Sequence, residues 1–498
     1  MEVDTIDKLT SHSVYDYDGN EKTPLYAKND NDKTVLKLII GFCMVFCIGL
    51  LIILLIHIHY GPHQLVPHGN VASDDAQCSK YGTDMLKIGG NAVDAAITTA
   101  LCNSVVLPHL SGLGGNGVMI IYDHRTGIGK TIDFGAAYSL NSSIGVPGFL
   151  IGLYYANMKY GILPWKTLVE PSINLAKTGI IVTKSLRDSI IELSTTKLIK
   201  DKNLKDWSDT VLNVSRDQVI AVPNGLIDTL TLIYRHGPIE FYKEMSKELE
   251  LYLKPDDVTG YQPFILPMLK QNIMNYSILT SNKGTGGPIL IDILSKINNT
   301  NNMDTVSLLN GIKNLSVDWS AENAGLQVST TDVFDLYVTI ISGLGSVFGS
   351  RILTKSGYIL NNALDLNYKH QYINQTARIP SLHLPFIAVE TGKICGRRLI
   401  SGSADVRDGV EILLSMLKTD PQDIFNVNNI PRFRLNYSDI KIEYPNKFPN
   451  KIKELFVKSG YHISEAPLPY PTSNVVQKVG DISIAFSDIR GSGKSITI

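Results

Sequence analysis

Gly89-Gly90-Asn91-Ala92-Val93-Asp94-Ala95-Ala96, followed downstream by Gly112-Leu113-Gly114-Gly115-Asn116-Gly117, punctuates the chain between Ala76 and Trp165. Asp75 to Leu86 has the apolar spacing of a helix, and Gly89-Gly90 closes it, because glycine accepts the left-handed backbone that ends helices. Asn91 then stands where a side-chain oxygen can cap a new helix, and the alanine-rich run behind it carries that helix to about Val106. After the second glycine cluster, Val118 to Tyr122 is apolar throughout and reads as a buried strand.

Working outward toward the N-terminus, Leu38 to Ile56 runs nineteen residues without a charge. At a helical rise of about 1.5 Å per residue this is roughly the hydrocarbon thickness of a bilayer. Thirty-seven residues precede the run, which sets it apart from a cleaved signal peptide. Lys22, Lys28, Lys33 and Lys37 flank its N-terminal side, whereas the twenty residues after Ile56 hold no Lys or Arg. The positive-inside rule therefore places the N-terminus in the cytosol. Asn-x-Ser/Thr sequons at Asn141, Asn213, Asn275, Asn298, Asn314, Asn374 and Asn436 all follow the span, in agreement with a lumenal bulk. The expectation is a type II, single-pass protein of the plasma membrane or secretory-pathway membranes. Residues 1–35 form a polar disordered cytosolic tail in this reading, 36–58 the span and 59–73 a lumenal stem.

Net charge is −1 and no basic cluster occurs beyond the membrane flank, which argues against nucleic acid as a partner. Cys43 and Cys47 lie inside the apolar run, as small apolar residues or lipidation sites, leaving Cys78, Cys102 and Cys395 outside it. His57, His59, His63 and His68 come with no carboxylate spacing that would build a metal centre, and neither metal nor cofactor is expected. Gly112, Gly114 and Gly117 spell G-x-G-x-x-G, but a helix precedes them and a strand follows, the reverse of a dinucleotide fold, so they read as a close-packed turn. Gly493-Lys494-Ser495 has Asp488 where the first glycine of a phosphate loop belongs, and only three residues remain to open a helix. H-E-x-x-H and G-x-S-x-G are both absent from the sequence.

Further segments continue the pattern in order: Val146-Pro147-Gly148, Tyr160 to Trp165, Phe348-Gly349-Ser350, Gly357 to Asn362, Ser401-Gly402-Ser403, Pro431-Arg432-Phe433, Gly460-Tyr461-His462 and Ser487-Asp488-Ile489-Arg490. Together with the two glycine clusters they resemble the γ-glutamyltransferase (glutathione hydrolase) family, over most of the chain beyond residue 74. The resemblance implies one α/β domain, a four-layer αββα sandwich of the N-terminal-nucleophile hydrolase type. A large-subunit-like half (74–324) and a small-subunit-like half (325–498) would build it jointly. It also implies a Cys78 to Cys102 disulfide, as in mammalian-type members, leaving Cys395 unpaired with a buried position expected. Between about Thr183 and Asn323 the match fades, so loops and capping elements are expected to be lost or reshaped there, with Asn298 to Asn302 a polar loop.

Members of that family cut themselves before a threonine, whose freed α-amine then activates its hydroxyl against a γ-glutamyl carbonyl. Counted back without a gap from Phe348-Gly349-Ser350, the family's Thr-Thr-His-x-Ser segment falls on Gly325-Leu326-Gln327-Val328-Ser329, with Asp332 in register at the following aspartate. Gly325 then holds the nucleophile position and has no side chain to attack a substrate or to drive the acyl shift of self-cleavage. A second register, which needs a five-residue deletion, puts the nucleophile at Thr330 or Thr331.

A γ-glutamyl donor offers an α-carboxylate and an α-ammonium, which call for a cation and an anion. The family's donor-binding arginine follows an Asp-Phe pair, but here Asp133-Phe134 precedes Gly135, and Ala136 to Pro147 holds no Lys or Arg. Its Asn-Asn-(Gln/Glu)-x-Asp-Asp becomes Asn361-Asn362-Ala363-Leu364-Asp365-Leu366, which keeps the first aspartate and loses the second. Its Thr-x-Asn pair becomes Gly343-Leu344-Gly345, and its tandem serine becomes Ser381-Leu382. The Gly-Gly pair of the oxyanion site becomes Asp405-Val406, where an anionic side chain would oppose the charge that develops. Each lost charge-assisted contact is worth roughly 1.5 to 3 kcal/mol, so two losses weaken donor binding about a hundredfold or more. Gly402, Pro431, Arg432 and Asp488 read as turn and packing residues.

The expectation is a membrane-anchored, unprocessed homologue without catalytic residues, which acts by binding: a protein partner or active paralogue, a glutamyl-like ligand held in altered form, or a surface interaction. The alternative is a working glutathione hydrolase that uses Thr330 or Thr331 on glutathione or another γ-glutamyl compound.

Overall fold

The computed structural model describes residues 30–60, 69–140, 143–300, 308–309, 311–312, 323–366, 378–393, 395–436 and 439–498. Two units result, Met1–Leu65 and Val66–Ile498. In the first, helix α1 (Asp30–Tyr60) contains a stretch, Thr34–Ile56, long and apolar enough to cross a membrane. Cys43 and Cys47 are exposed on it. Most of the predicted tail, His63, His68 and the side chains of His57 and His59 lie outside the described residues.

In the second unit the local signals of the sequence act as read. Helix α2 (Ala76–Lys87) starts where the Asp75 carboxylate accepts hydrogen bonds from the amides of Gln77 and Cys78, and Gly89 turns the chain with φ +94°. Helix α3 (Ala92–Val106) is capped by Asn91, which exchanges side-chain and backbone hydrogen bonds with Asp94. The implied disulfide joins Cys78 to Cys102 across the two helices. Helices α4 (Phe149–Tyr160), α5 (Trp165–Thr178) and α6 (Lys184–Thr195) follow.

The strands, in chain order, are β1 (Asn70–Ala72), β2 (Asn116–Asp123), β3 (Ile128–Phe134), β4 (Ile180–Ile181), β5 (Val219–Ile220), β6 (Phe264–Pro267), β7 (Leu269–Ile273), β8 (Tyr276–Thr280), β9 (Ala324–Thr331), β10 (Leu336–Gly345), β11 (Leu384–Glu390), β12 (Arg398–Ser403), β13 (Phe433–Asn436), β14 (Asp439–Ile442), β15 (His462–Glu465), β16 (Val475–Val479), β17 (Ile482–Phe486) and β18 (Ile496–Thr497). One sheet has the order β18-β1-β9-β10-β2-β3-β6 and the other β17-β16-β12-β11-β8-β7.

Side chains alternate across the strands and so sort into layers. Met119, Ile121, Leu326, Val328 and Ile340 pack outward against α3 and its neighbours. Ile120, Tyr337, Ile387, Ile400 and Val476 meet between the sheets. Phe386, Ala388 and Leu399 pack against the helices Gly287–Thr300 and Val406–Lys418 on the far side. This is the four-layer αββα sandwich expected. At its edge the two ends of the unit meet, since Gly69 and Ile498 each donate an amide hydrogen bond to the other's carbonyl, at 3.0 and 2.9 Å.

Two expectations are corrected. Asn298 to Thr300 continue the helix Gly287–Thr300, because buried Ile289, Ile293 and Ile297 carry the helical spacing through the polar stretch; Asn301 and Asn302 lie outside the described residues. Cys395 is exposed, in the connection between β11 and β12 whose residues Thr391 to Lys393 are exposed as well. Asn213 and Asn275 are exposed and Asn436 is half-buried, while Asn141, Asn314, Asn374 and the side chain of Asn298 are outside the described residues.

Candidate functional site

Gly325 is the second residue of β9, a strand held between β1 and β10. Leu326 and Val328 point outward, so Gly325, Gln327 and Ser329 share the face toward the second sheet. A Cβ on Gly325 would meet the Ser342 carbonyl oxygen at 2.5 Å and the Ala404 Cβ at 3.2 Å. Across the pair, a Cβ on Gly343 would lie 2.4 Å from the Ala324 carbonyl oxygen, 3.2 Å from His383 Nε2 and 3.3 Å from the Gly325 Cα. At Gly325, where the nucleophile was expected, the backbone of β10 leaves no room for a side chain, and each glycine is required by the approach of the other strand.

His383 is the residue that sequence reasoning missed. Its ring is buried and neither nitrogen has a hydrogen-bond partner among the described residues. Burial pulls its pKa down to about 4 against the pull of Asp405 in the other direction, so the ring is neutral at physiological pH.

At the expected oxyanion position, Asp405 caps the helix Val406–Lys418 and Val406 is buried. The carboxylate accepts from Arg407 Nε at 2.9 Å and from Arg407 Nη2 at 2.6 Å. Burial alone would raise the Asp405 carboxyl, but Arg407 and Arg434 outweigh it and hold it below the usual range. Arg407 thus compensates the Asp405 charge.

The other positions expected to hold a donor are, apart from exposed Asp365 and partly buried Leu366, buried or hydrogen-bonded. The Cβ of Arg378 packs beside Gly135, from far along the chain. Its guanidinium stacks on Tyr261 and Phe264, at 4.0 and 4.4 Å from the ring centres, and donates to the Gln262 carbonyl. Burial pushes the neighbouring Asp133 carboxyl up to about 6, with the Gly135 amide and Arg378 pulling the other way. Ala136, Ala363 and Ile379 form a buried apolar cluster with Leu364 against it. Asn361 ties Gly114 to Gly145, and Asn362 holds Ser346. Gly345 takes φ +98°, Asp365 is exposed, Leu366 packs into the far core, Ser381 donates its amide to the Gly284 carbonyl, and Leu382 is buried.

Thr330 and Thr331 sit at the other end of β9, about 17 and about 20 Å from Gly325 at strand rise. The Thr330 hydroxyl donates to the Ala92 carbonyl at 2.7 Å, and the Thr331 hydroxyl accepts from Asn70 at 3.1 Å. Both residues are buried and paired to β1.

A cavity of about 320 Å³ opens beside Gly325, and none of the other donor positions lines it. Its apolar wall includes Leu107, Leu110, Leu193 and Val347, and its cations include Arg351, Arg432, Arg434 and Arg490. Arg432 pairs with Asp488 at 2.6 Å, Arg490 with Glu443 at 2.5 Å, and Arg434 with Asp408. Arg432 and Asp488 are both buried. At the cavity wall burial raises the Asp74 carboxyl to about 6, against hydrogen bonds from Thr472, the Gln327 amide and Asn474.

Two helix-covered sheets packed face to face define the fold of the N-terminal-nucleophile hydrolases. The solved cephalosporin acylase from Bacillus halodurans shares it with a TM-score of 0.72 at 18% identity, over 86% of this chain and 96% of that one. The family description gamma-glutamyltranspeptidase matches residues 78–316. Among curated relatives, glutathione hydrolase 7 of Homo sapiens is 26% identical over 406 residues, which cover 74% of this chain and 57% of the relative. Scoloptoxin SSD14 of Scolopendra dehaani is 25% identical over 498 residues, covering 80% and 86%. The chain belongs to the γ-glutamyltransferase family. It spans little more than half the length of human glutathione hydrolase 7, 57%.

Proposed function

We propose that this protein is a non-catalytic, unprocessed member of its family, anchored by α1 with its bulk on the lumenal or extracellular side, and that it acts by binding. One observation carries the reading. The residue aligned with the nucleophile is a glycine, and the Ser342 carbonyl stands 2.5 Å from where its Cβ would be. No hydroxyl can be placed there without moving backbone, so neither the acyl shift of self-cleavage nor attack on a γ-glutamyl amide has a starting atom. Engagement of Arg378 by Tyr261 and Phe264, and of Asp405 by Arg407, supports the same reading at the donor and oxyanion positions.

The alternative, a glutathione hydrolase working through Thr330 or Thr331, would need a hydroxyl now engaged inside the seven-stranded sheet, and cleavage there would cut β9 between its pairings. The test is gel mobility of the full chain made in secretory cells and deglycosylated, combined with release of a γ-glutamyl chromophore. One band and no release above background is expected. Two chains split near residue 325 or 330, or release at enzymatic rates, would overturn the proposal.

A further inference from the structure

The cavity beside Gly325 contains an unanswered cation. Arg432, Arg434 and Arg490 each have a carboxylate partner, but Arg351, half-buried and lining the same cavity, makes no ion pair among the described residues. A half-buried guanidinium with no carboxylate partner is one that a bound anion can pair with. The backbone holds it in place at some strain: Phe348, Gly349 and Arg351 take φ of +61°, +48° and +62°. Amide hydrogen bonds from Phe348 to the His109 carbonyl, at 2.7 Å, and from Arg351 to the Phe348 carbonyl, at 2.8 Å, fix that turn. The same cavity is lined by the apolar side chains of Leu107, Leu110, Leu193 and Val347. The volume, about 320 Å³, lies at the lower end for small-molecule sites, which run from roughly 300 to 1,000 Å³.

We infer that this cavity binds a small amphipathic organic anion, its acidic group paired with Arg351 and its apolar body along Leu107, Leu110, Leu193 and Val347. The inference rests on the binding role proposed above and names the ligand class. None of the positions expected to hold a γ-glutamyl donor lines the cavity.

The test uses 4-phenylbutyrate and its neutral amide as probes, titrated by saturation-transfer NMR against the full chain in nanodiscs, with empty nanodiscs subtracted. The acid should bind at least about tenfold more tightly than the amide, as one charge-assisted contact provides. Arg351→Gln should bring the acid down to the amide's affinity while leaving the amide unchanged, which also shows that the variant is folded. Arg351→Lys should restore part of the preference, and Leu193→Asp should weaken both probes. Equal binding of acid and amide, a preference that survives in Arg351→Gln, or no binding of either probe overturns the inference. Neither probe carries a γ-glutamyl amide, so failure here leaves the non-catalytic reading intact, and γ-glutamyl turnover would sink that reading without touching this one.

Discussion

The carbonyl oxygen of Ser342 lies 2.5 Å from the point that a Cβ on Gly325 would occupy, and the Cβ of Ala404 lies 3.2 Å from it. Reinstating a threonine is therefore a packing problem before it is a chemical one. Gly325→Thr is expected to cost about 1 to 3 kcal/mol, as overpacking of a filled site does, and to leave the chain uncut and inactive. Denaturant midpoints and gel mobility check both halves; a cleaved, active variant would show that the surroundings still remember a catalytic geometry.

Thr330 provides the converse test. Thr330→Val removes the hydroxyl that donates to Ala92 and should lower stability by about 1 kcal/mol, the net worth of one buried hydrogen bond. Band pattern and γ-glutamyl release should match the parent protein. A drop in release confined to this variant or to Thr331→Val would favour the hydrolase alternative.

Arg407 and Asp405 form a fully buried pair, with side chains 1% and 0% exposed. Removing one partner leaves a charge in the interior, so Arg407→Met should destabilise by roughly 3 to 5 kcal/mol. The double variant Asp405→Asn, Arg407→Met should recover much of that loss. A double-mutant cycle by chemical denaturation measures it, and purely additive costs would mean that the two residues act independently.

Glu411 makes stability depend on pH. Burial pushes its carboxyl up from 4.5 to about 8; Glu443 and Asp408 push the same way, while the Phe433 amide and Arg432 pull it down. The folded protein thus holds this proton more tightly than the unfolded chain does. The resulting stabilisation is full below the unfolded value and is lost as pH rises through about 8. Stability should fall on the order of 2 kcal/mol between about pH 6.5 and about pH 8.5, and Glu411→Gln should flatten that slope. Asp74, raised to about 6, titrates mostly below this window. Melts of parent and variant across the range would reject the assignment if the two slopes coincided.

What the sequence made legible acts over a few residues. Asp75, Asn91 and Gly89 announce helix ends because a cap needs only the next turn, and Val118 to Tyr122 announces a strand because burial on both faces leaves no polar position. The layered fold and the Cys78 to Cys102 bridge came through the ordered motifs of the family. Illegible were the meetings of distant segments. Nothing near Gly135 signals that Arg378 will pack against it, and a single histidine such as His383 in an apolar stretch leaves no periodic mark. Asn298 was misread because amide-rich polarity outweighed the spacing of Ile289, Ile293 and Ile297, and Cys395 because a small apolar thiol is more often inside than on a hairpin turn. Asp405 and Arg407 are neighbours in sequence, yet only the first turn of the helix brings their charges together.

The mutual hydrogen bonds of Gly69 and Ile498 give the folded unit a mechanical character. A load on its C-terminal residue and a tether at Gly69 would pull from one corner, peeling β18 from β1 pair by pair and resisting weakly. Force carried onward through β1 would instead have to slide that strand against β9, breaking several bonds at once. A fusion hung on Ile498 would therefore loosen under modest tension while the body of the sheet stayed whole.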